Sequence, residues 1–189
     1  MLKLITLNES EICSLYERAL SRDFPSSELK SLSAILNLYR RNEYQVLGAY
    51  SDTEFVGYAL LYLPRHDRFA LLDYLAVEPE YRGRGIGTAL LKQLKAYYAD
   101  TIDALLIECE RPKAAPDEME ARKRIRYYTN AGCALTSVRI WLFGVEYSIL
   151  VLRCSDSLSE CDWAGKMLEL YRQMLPSELY EHNVRLIQG

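Results

Sequence analysis

Apolar side chains at Ile12, Leu15, Tyr16, Ala19 and Leu20 recur with the spacing of one helix face. Asn8 followed by Glu11 supplies a capping pair for that helix, predicted over 9–22. Pro25 breaks the chain, and Leu29, Leu32, Ile35, Leu36 and Tyr39 restart the helical period within 26–41. Strand patterns lie on either side. KLITL (3–7) comes first, then YQVLGAYS (44–51) and EFVGYALLYL (54–63), joined by a turn at Asp52–Thr53. RFALLDYLAV (68–77) is almost continuously apolar, the pattern of a central strand covered on both faces. A helix over about 85–99 precedes a second buried-type strand, DALLIECE (103–110). The next helix, 117–132, has an acidic first turn and Gly132 as its stop. Two strands, 134–143 and 145–153, turn near Gly144, and from Leu158 the chain reads as one or two helices broken at Pro176.

This order predicts an α/β (α+β) fold: a mixed, mostly antiparallel central sheet of about seven strands, helices on both faces, and C-terminal helices. With 189 residues, one domain over 1–189 is expected, its core at about 3–154 and a helical extension at 158–189. Apolar residues at 50% and charged residues at 26% are ordinary for a globular chain, and a net charge of −3 argues against a nucleic-acid partner. The longest apolar runs fall short of a membrane span, and the N-terminus has no long apolar segment of the signal-peptide kind. Five scattered cysteines without a CxxC read as reduced thiols, so a cytoplasmic location is expected. With only two histidines, His66 and His182, no metal site is expected.

The candidate chemistry starts at PEYRGRGIGTALL (79–91), where a strand gives way to a glycine-rich turn and then a helix. Backbone N–H groups at a helix start form an anion site, glycines let the backbone approach a phosphate closely, and arginines add charge. The GxxxxGK[ST] spacing of a P-loop is absent. A dinucleotide fingerprint fits poorly: Thr88 stands where its last glycine belongs, and Asp103 starts a strand that the ribose acid should end. A third pattern, Arg/Gln-x-x-Gly-x-Gly/Ala, is met by Arg82-Gly83-Arg84-Gly85-Ile86-Gly87.

With AVEPEY before it and TALLKQL after it, this stretch resembles motif A of the GNAT superfamily of acetyl-CoA-dependent N-acyltransferases. About 40 residues later, Tyr128-Thr129-Asn130-Ala131-Gly132-Cys133 resembles the family's Tyr-x-x-x-Gly-Phe, with Cys133 in place of phenylalanine. The resemblance covers residues 3 to about 154 and implies acetyl-CoA as co-substrate, without a metal. It implies that the loop Arg82, Gly83, Arg84, Gly85, Ile86, Gly87 and Thr88 holds the CoA diphosphate. It also implies that the backbone of Leu75, Ala76 and Val77 holds the pantetheine and polarises the thioester, and that Tyr128 protonates the departing thiolate. Two positions depart from the family pattern: Ala121 stands where an asparagine often contacts CoA, and Arg124 where a small alanine is usual.

The acceptor ammonium must lose a proton before attack. Asp73, Glu108 and Glu110 lie on the two strands expected to be central, where acids are rare unless paired or functional. Glu108 and Glu110 share a sheet face, Cys109 points the other way, and Asp73 on a neighbouring strand is expected to approach them. These acids are the candidate base, or the binding site for a cationic acceptor. The implied reaction is direct acetyl transfer to a primary amine of a small molecule or peptide. The alternative is a non-catalytic acyl-CoA-binding sensor or scaffold. No membrane or nucleic-acid partner is expected, a homodimer is left open, and no motif names the acceptor.

Overall fold

The computed structural model describes residues 2–26, 28–155 and 161–187. They gather into two compact units, Met1–Arg65 with Asp73–Leu94, and His66–Leu72 with Lys95–Gly189.

In the first unit, β1 (Leu2–Thr6), β2 (Tyr44–Ser51) and β3 (Glu54–Tyr62) form an antiparallel meander, with Leu4 opposite Ala49 and Leu47 opposite Ala59. The β2–β3 turn places Asp52 at φ 56°, a conformation that aspartate tolerates. The first helical run is α1 (Glu9–Leu15), a wider π segment at Tyr16–Leu20, and α2 (Ser21–Asp23). Its capping box is the expected one: Asn8 accepts the Glu11 N–H and the Glu11 carboxylate accepts the Asn8 N–H. α3 is shorter than its apolar period suggests. It spans Leu32–Arg40, capped by Ser31, because the segment before it is held by tertiary bonds: the Lys30 N–H donates to the Tyr74 hydroxyl (2.9 Å), which donates to the Glu28 carbonyl (2.9 Å). α3 packs on β2 and α1, with Ile35 and Leu38 buried.

β4 (Phe69–Val77) belongs to both units, Phe69–Leu72 to the second and Asp73–Val77 to the first. In the second unit it pairs in parallel with β5 (Ala104–Glu110), in the register Leu72 to Ile107. A parallel pair needs a crossover, and α4 (Ile86–Tyr98) supplies it. β5 then pairs antiparallel with β7 (Val145–Arg153), and β7 with β6 (Ala134–Leu142). α5 (Glu118–Asn130) packs on β5 and β6, and α6 (Trp163–Met174) on β6. α7 (Ser177–Asn183) follows Pro176, at the expected break.

Among the described residues the strands follow the order β1-β2-β3-β4-β5-β7-β6-β8, eight rather than about seven. The extra strand is β8 (Val184–Leu186), antiparallel to the edge of β6, in a tail read as helical from sequence. Three residues are too few to show an alternation of period two, so the pattern cannot announce such a strand. Residues 158–160 of the expected tail helix lie outside the described residues. Among the described residues no helix is long and apolar enough to cross a membrane.

Candidate active site

Burial along β4 changes towards its end: Phe69–Leu72 are buried, whereas Leu75, Ala76 and Val77, in the first unit, are half-exposed. After Val77 comes buried Glu78, a single 3-10 turn at Pro79–Tyr81, and then the glycine loop. Gly83 (φ 74°) and Gly85 (φ 77°) both lie in the left-handed region, with Arg84 between them outside it. A Cβ at either glycine would meet nothing within 4 Å, so the requirement is for φ and not for space. Such an alternation of backbone handedness curls successive N–H groups into a concave anion site. The Gly85 carbonyl accepts the Ala89 N–H (3.0 Å), so the N–H groups of Ile86, Gly87 and Thr88 are first-turn donors without an intrahelical acceptor. They open a helix of 13 residues whose dipole is positive at this end. Residues 82–85 are exposed, and the Arg84 guanidinium lies over the Tyr81 ring at 5.7 Å. Arg82 is engaged within the protein: its Nε donates to the Val77 carbonyl (2.9 Å) and its Nη2 to Asp23 (2.7 Å).

Asp73 also belongs to the first unit. Its side chain is 5% exposed and has two partners, the Lys30 ammonium at 2.8 Å and the Tyr44 hydroxyl, which donates to the other oxygen. The Lys30 ammonium lies 5.5 Å above the Tyr74 ring.

In the second unit, Tyr128 is the third-last residue of α5. The Cys133 N–H bonds the Tyr128 carbonyl (3.0 Å), the Gly132 N–H bonds the Thr129 carbonyl (3.1 Å), and Gly132 has φ 100°. This is a Schellman stop. It explains the Tyr-x-x-x-Gly spacing: the glycine ends the helix one turn past the tyrosine, fixing where that phenol stands. Tyr128 is 8% exposed, and burial, reinforced by the neighbouring Cys109, Tyr127 and Cys133 side chains, pushes its pKa well above the ordinary tyrosine value. It therefore holds its proton at neutral pH, as a general acid must. The Tyr127 ring meets it edge-on at 4.9 Å, and the Tyr127 hydroxyl is buried without a hydrogen-bond partner among the described residues.

Glu108 and Glu110 are half-buried on β5, opposite Ile149 and Tyr147 of β7. Glu108 accepts the Tyr171 hydroxyl of α6 (2.5 Å), and Glu110 pairs with Arg124 at 3.7 Å. Cys109 is fully buried between them, and burial pushes its thiol up to about 12, which keeps it a neutral packing group. Ala121 is buried in α5, and Arg124 turns to Glu110. Among the described residues no group of three or more His, Cys, Asp or Glu is placed to hold a metal ion.

Lys30, Tyr44, Tyr171 and Asp23 were not singled out by the sequence. The first three carry no local signal, since their partners lie 43, 29 and 63 residues away. Asp23 carries a faint one: it ends a helix, where the dipole disfavours an acid, and so implies a cationic partner.

Residues 10–116 match the family model described as the acetyltransferase (GNAT) family. Among solved structures, the chain is similar to an acetyltransferase of that family from Bacteroides thetaiotaomicron, with TM-score 0.74 and 20% identity over 92% of this chain and 99% of that one. A GNAT acetyltransferase from Desulfovibrio desulfuricans gives 0.62 and 19%, over 82% and 99% of the two chains. A variant of the spermidine N-acetyltransferase SpeG from Vibrio cholerae gives 0.61 and 14%, over 81% and 94%. At these identities the likeness is one of fold. No curated protein matches the sequence.

Proposed function

This chain belongs to the acetyltransferase (GNAT) family, and on that premise we propose that it moves an acetyl group from acetyl-CoA to a primary amine by direct transfer. The observation that carries the reading is the left-handed pair Gly83 and Gly85 opening α4, a cradle of N–H groups suited to a diphosphate. The loop from Arg82 to Thr88 takes the diphosphate, and a backbone N–H among Leu75, Ala76 and Val77 polarises the thioester carbonyl. A donor of that kind is worth about 10²–10³ in rate. A carboxylate, from Asp73, Glu108 or Glu110, removes the ammonium proton directly or through water. The amine nitrogen then bonds the acetyl carbon, the carbon–sulfur bond breaks, and Tyr128 gives its proton to the leaving sulfur.

The acceptor is a small-molecule or peptide amine. Spermidine heads the panel to be tried, because a fold neighbour is named for acetylating it. The test is thiol release from acetyl-CoA across amines, amino acids, polyamines, aminoglycosides and peptides, alongside calorimetric acetyl-CoA binding. Amine-dependent release is expected. No binding at millimolar acetyl-CoA overturns the reading, and binding without release for any amine makes the protein an acyl-CoA sensor or scaffold instead.

A further inference from the structure

Arg82 falls within the phosphate-loop pattern, yet its Nε and Nη2 donors are turned to the protein. Nη2 reaches Asp23 at 2.7 Å and Nε reaches the Val77 carbonyl at 2.9 Å. Asp23 is a built receptor for it. Its carboxylate, 5% exposed, also accepts Arg22 Nε (3.0 Å), Arg22 Nη2 (2.8 Å) and the hydroxyl of Tyr58 (2.8 Å), a fully buried residue of β3. Arg22 bridges on to Glu78 through Nη1 (2.9 Å), and Arg18 meets the same carboxylate at 3.2 Å. The five-residue segment 78–82, which delivers the chain from β4 to the glycines, is thus fastened at both ends to the end of the first helical run.

We infer that Arg82 is a positioning residue and not a phosphate ligand: with Asp23 as its partner it clamps the glycine loop to the helical run 9–23 and sets the aim of the N–H cradle. This rests on the reading that the loop takes the CoA diphosphate. Two arguments support it. The Nε and Nη2 donors of Arg82 are already engaged by the Val77 carbonyl and by Asp23, so a phosphate would have to displace these bonds to take them, which leaves the backbone N–H groups and Arg84 as the attracting elements. Gly83 and Gly85 make the loop able to adopt many conformations, so something outside it must select the curled one.

The experiment is calorimetric binding of CoA to the full chain, comparing wild type, Arg82→Gln, Asp23→Asn, the double variant and Tyr58→Phe, each well below its melting temperature. A clamp predicts that Arg82→Gln and Asp23→Asn weaken binding alike, by about tenfold, the size of one charged hydrogen bond, and that the double variant is no worse. Tyr58→Phe, remote from the loop, weakens binding by a smaller factor, and Arg82→Gln keeps the wild-type dependence on salt. A direct phosphate contact predicts the opposite pattern: Asp23→Asn frees Arg82 and leaves binding unchanged or tighter, while Arg82→Gln weakens it and flattens the salt dependence. That pattern overturns the inference, as does unchanged binding in Asp23→Asn. If Asp23→Asn does not fold, Tyr58→Phe and the salt dependence of the exposed Arg82→Gln decide alone: an unchanged affinity in the first, or a flattened dependence in the second, overturns the clamp. Failure of the wild type to bind CoA defeats the loop reading itself.

Discussion

Two glycine motifs in this chain act on helices in opposite senses. Gly83 and Gly85 open α4, and Gly132 closes α5. At the opening the unsatisfied groups are N–H donors with a positive dipole, which suit an anion. At the closing, the stop pairs carbonyls internally, and the negative end of the dipole disfavours a phenolate, adding to the burial that keeps Tyr128 protonated. One motif is exposed and presents backbone N–H donors. The other has an exposed glycine and fixes the position of a buried side chain, Tyr128. Family signatures that look alike as glycine spacings therefore encode different physics.

The comparison can be broken in four ways. Tyr128→Phe should lower turnover by about 10²-fold or more while acetyl-CoA binding stays put, since only the acid is lost. Equal turnover in the variant, measured by thiol release, removes Tyr128 from the chemistry. Gly85→Val should weaken CoA binding by about 10–100-fold, because a β-branched residue at φ 77° costs about 1–3 kcal/mol and the loop relaxes instead. The same change at the closing end, Gly132→Val, should cost about 1–3 kcal/mol of folding stability by thermal unfolding. Its effect on CoA affinity should be negligible, and a larger effect there would erase the contrast. Tyr127→Phe is the smallest: removing a buried hydroxyl without a partner should leave stability unchanged or raise it by about 1 kcal/mol.

Acidity sharpens the same contrast. Tyr128 has a raised pKa in the folded chain, so below the ordinary tyrosine value near 10 it is neutral folded or unfolded. Above that value the unfolded chain ionises first, and stability should fall as pH rises. Burial raises the pKa of Asp23, but hydrogen bonds from Arg22, Tyr58 and Arg82 outweigh it and hold the carboxyl below its ordinary value. Its contribution is present above the usual carboxylate range and lost as pH falls beneath it, so CoA affinity should survive mild acid. A binding titration that fails near pH 5 would sever the clamp from Asp23.

Both glycine motifs were legible because a turn is a local event: its residues are consecutive and the φ requirement shows as glycine. The strand and helix order was legible for the same reason, through period two and period 3.6. Apart from β8, too short to show a period, the misses are long-range. The partner of Arg82, Asp23, lies 59 residues away and leaves no mark on the loop sequence. The start of α3 at Leu32 is set by Tyr74, and the surroundings of Glu108 by Tyr171, neither of which leaves a mark on neighbouring residues. Spacing names a candidate acid; its partners decide what that acid can do.

The short strand β8 has a consequence outside catalysis. Ile140–Leu142 of β6 would otherwise offer a row of open peptide groups, the surface on which one chain templates the next. Three residues close that row, and the Arg185 guanidinium lying 3.9 Å over the Trp141 ring holds them in place. The tail thereby works as a selvedge along these three residues of β6.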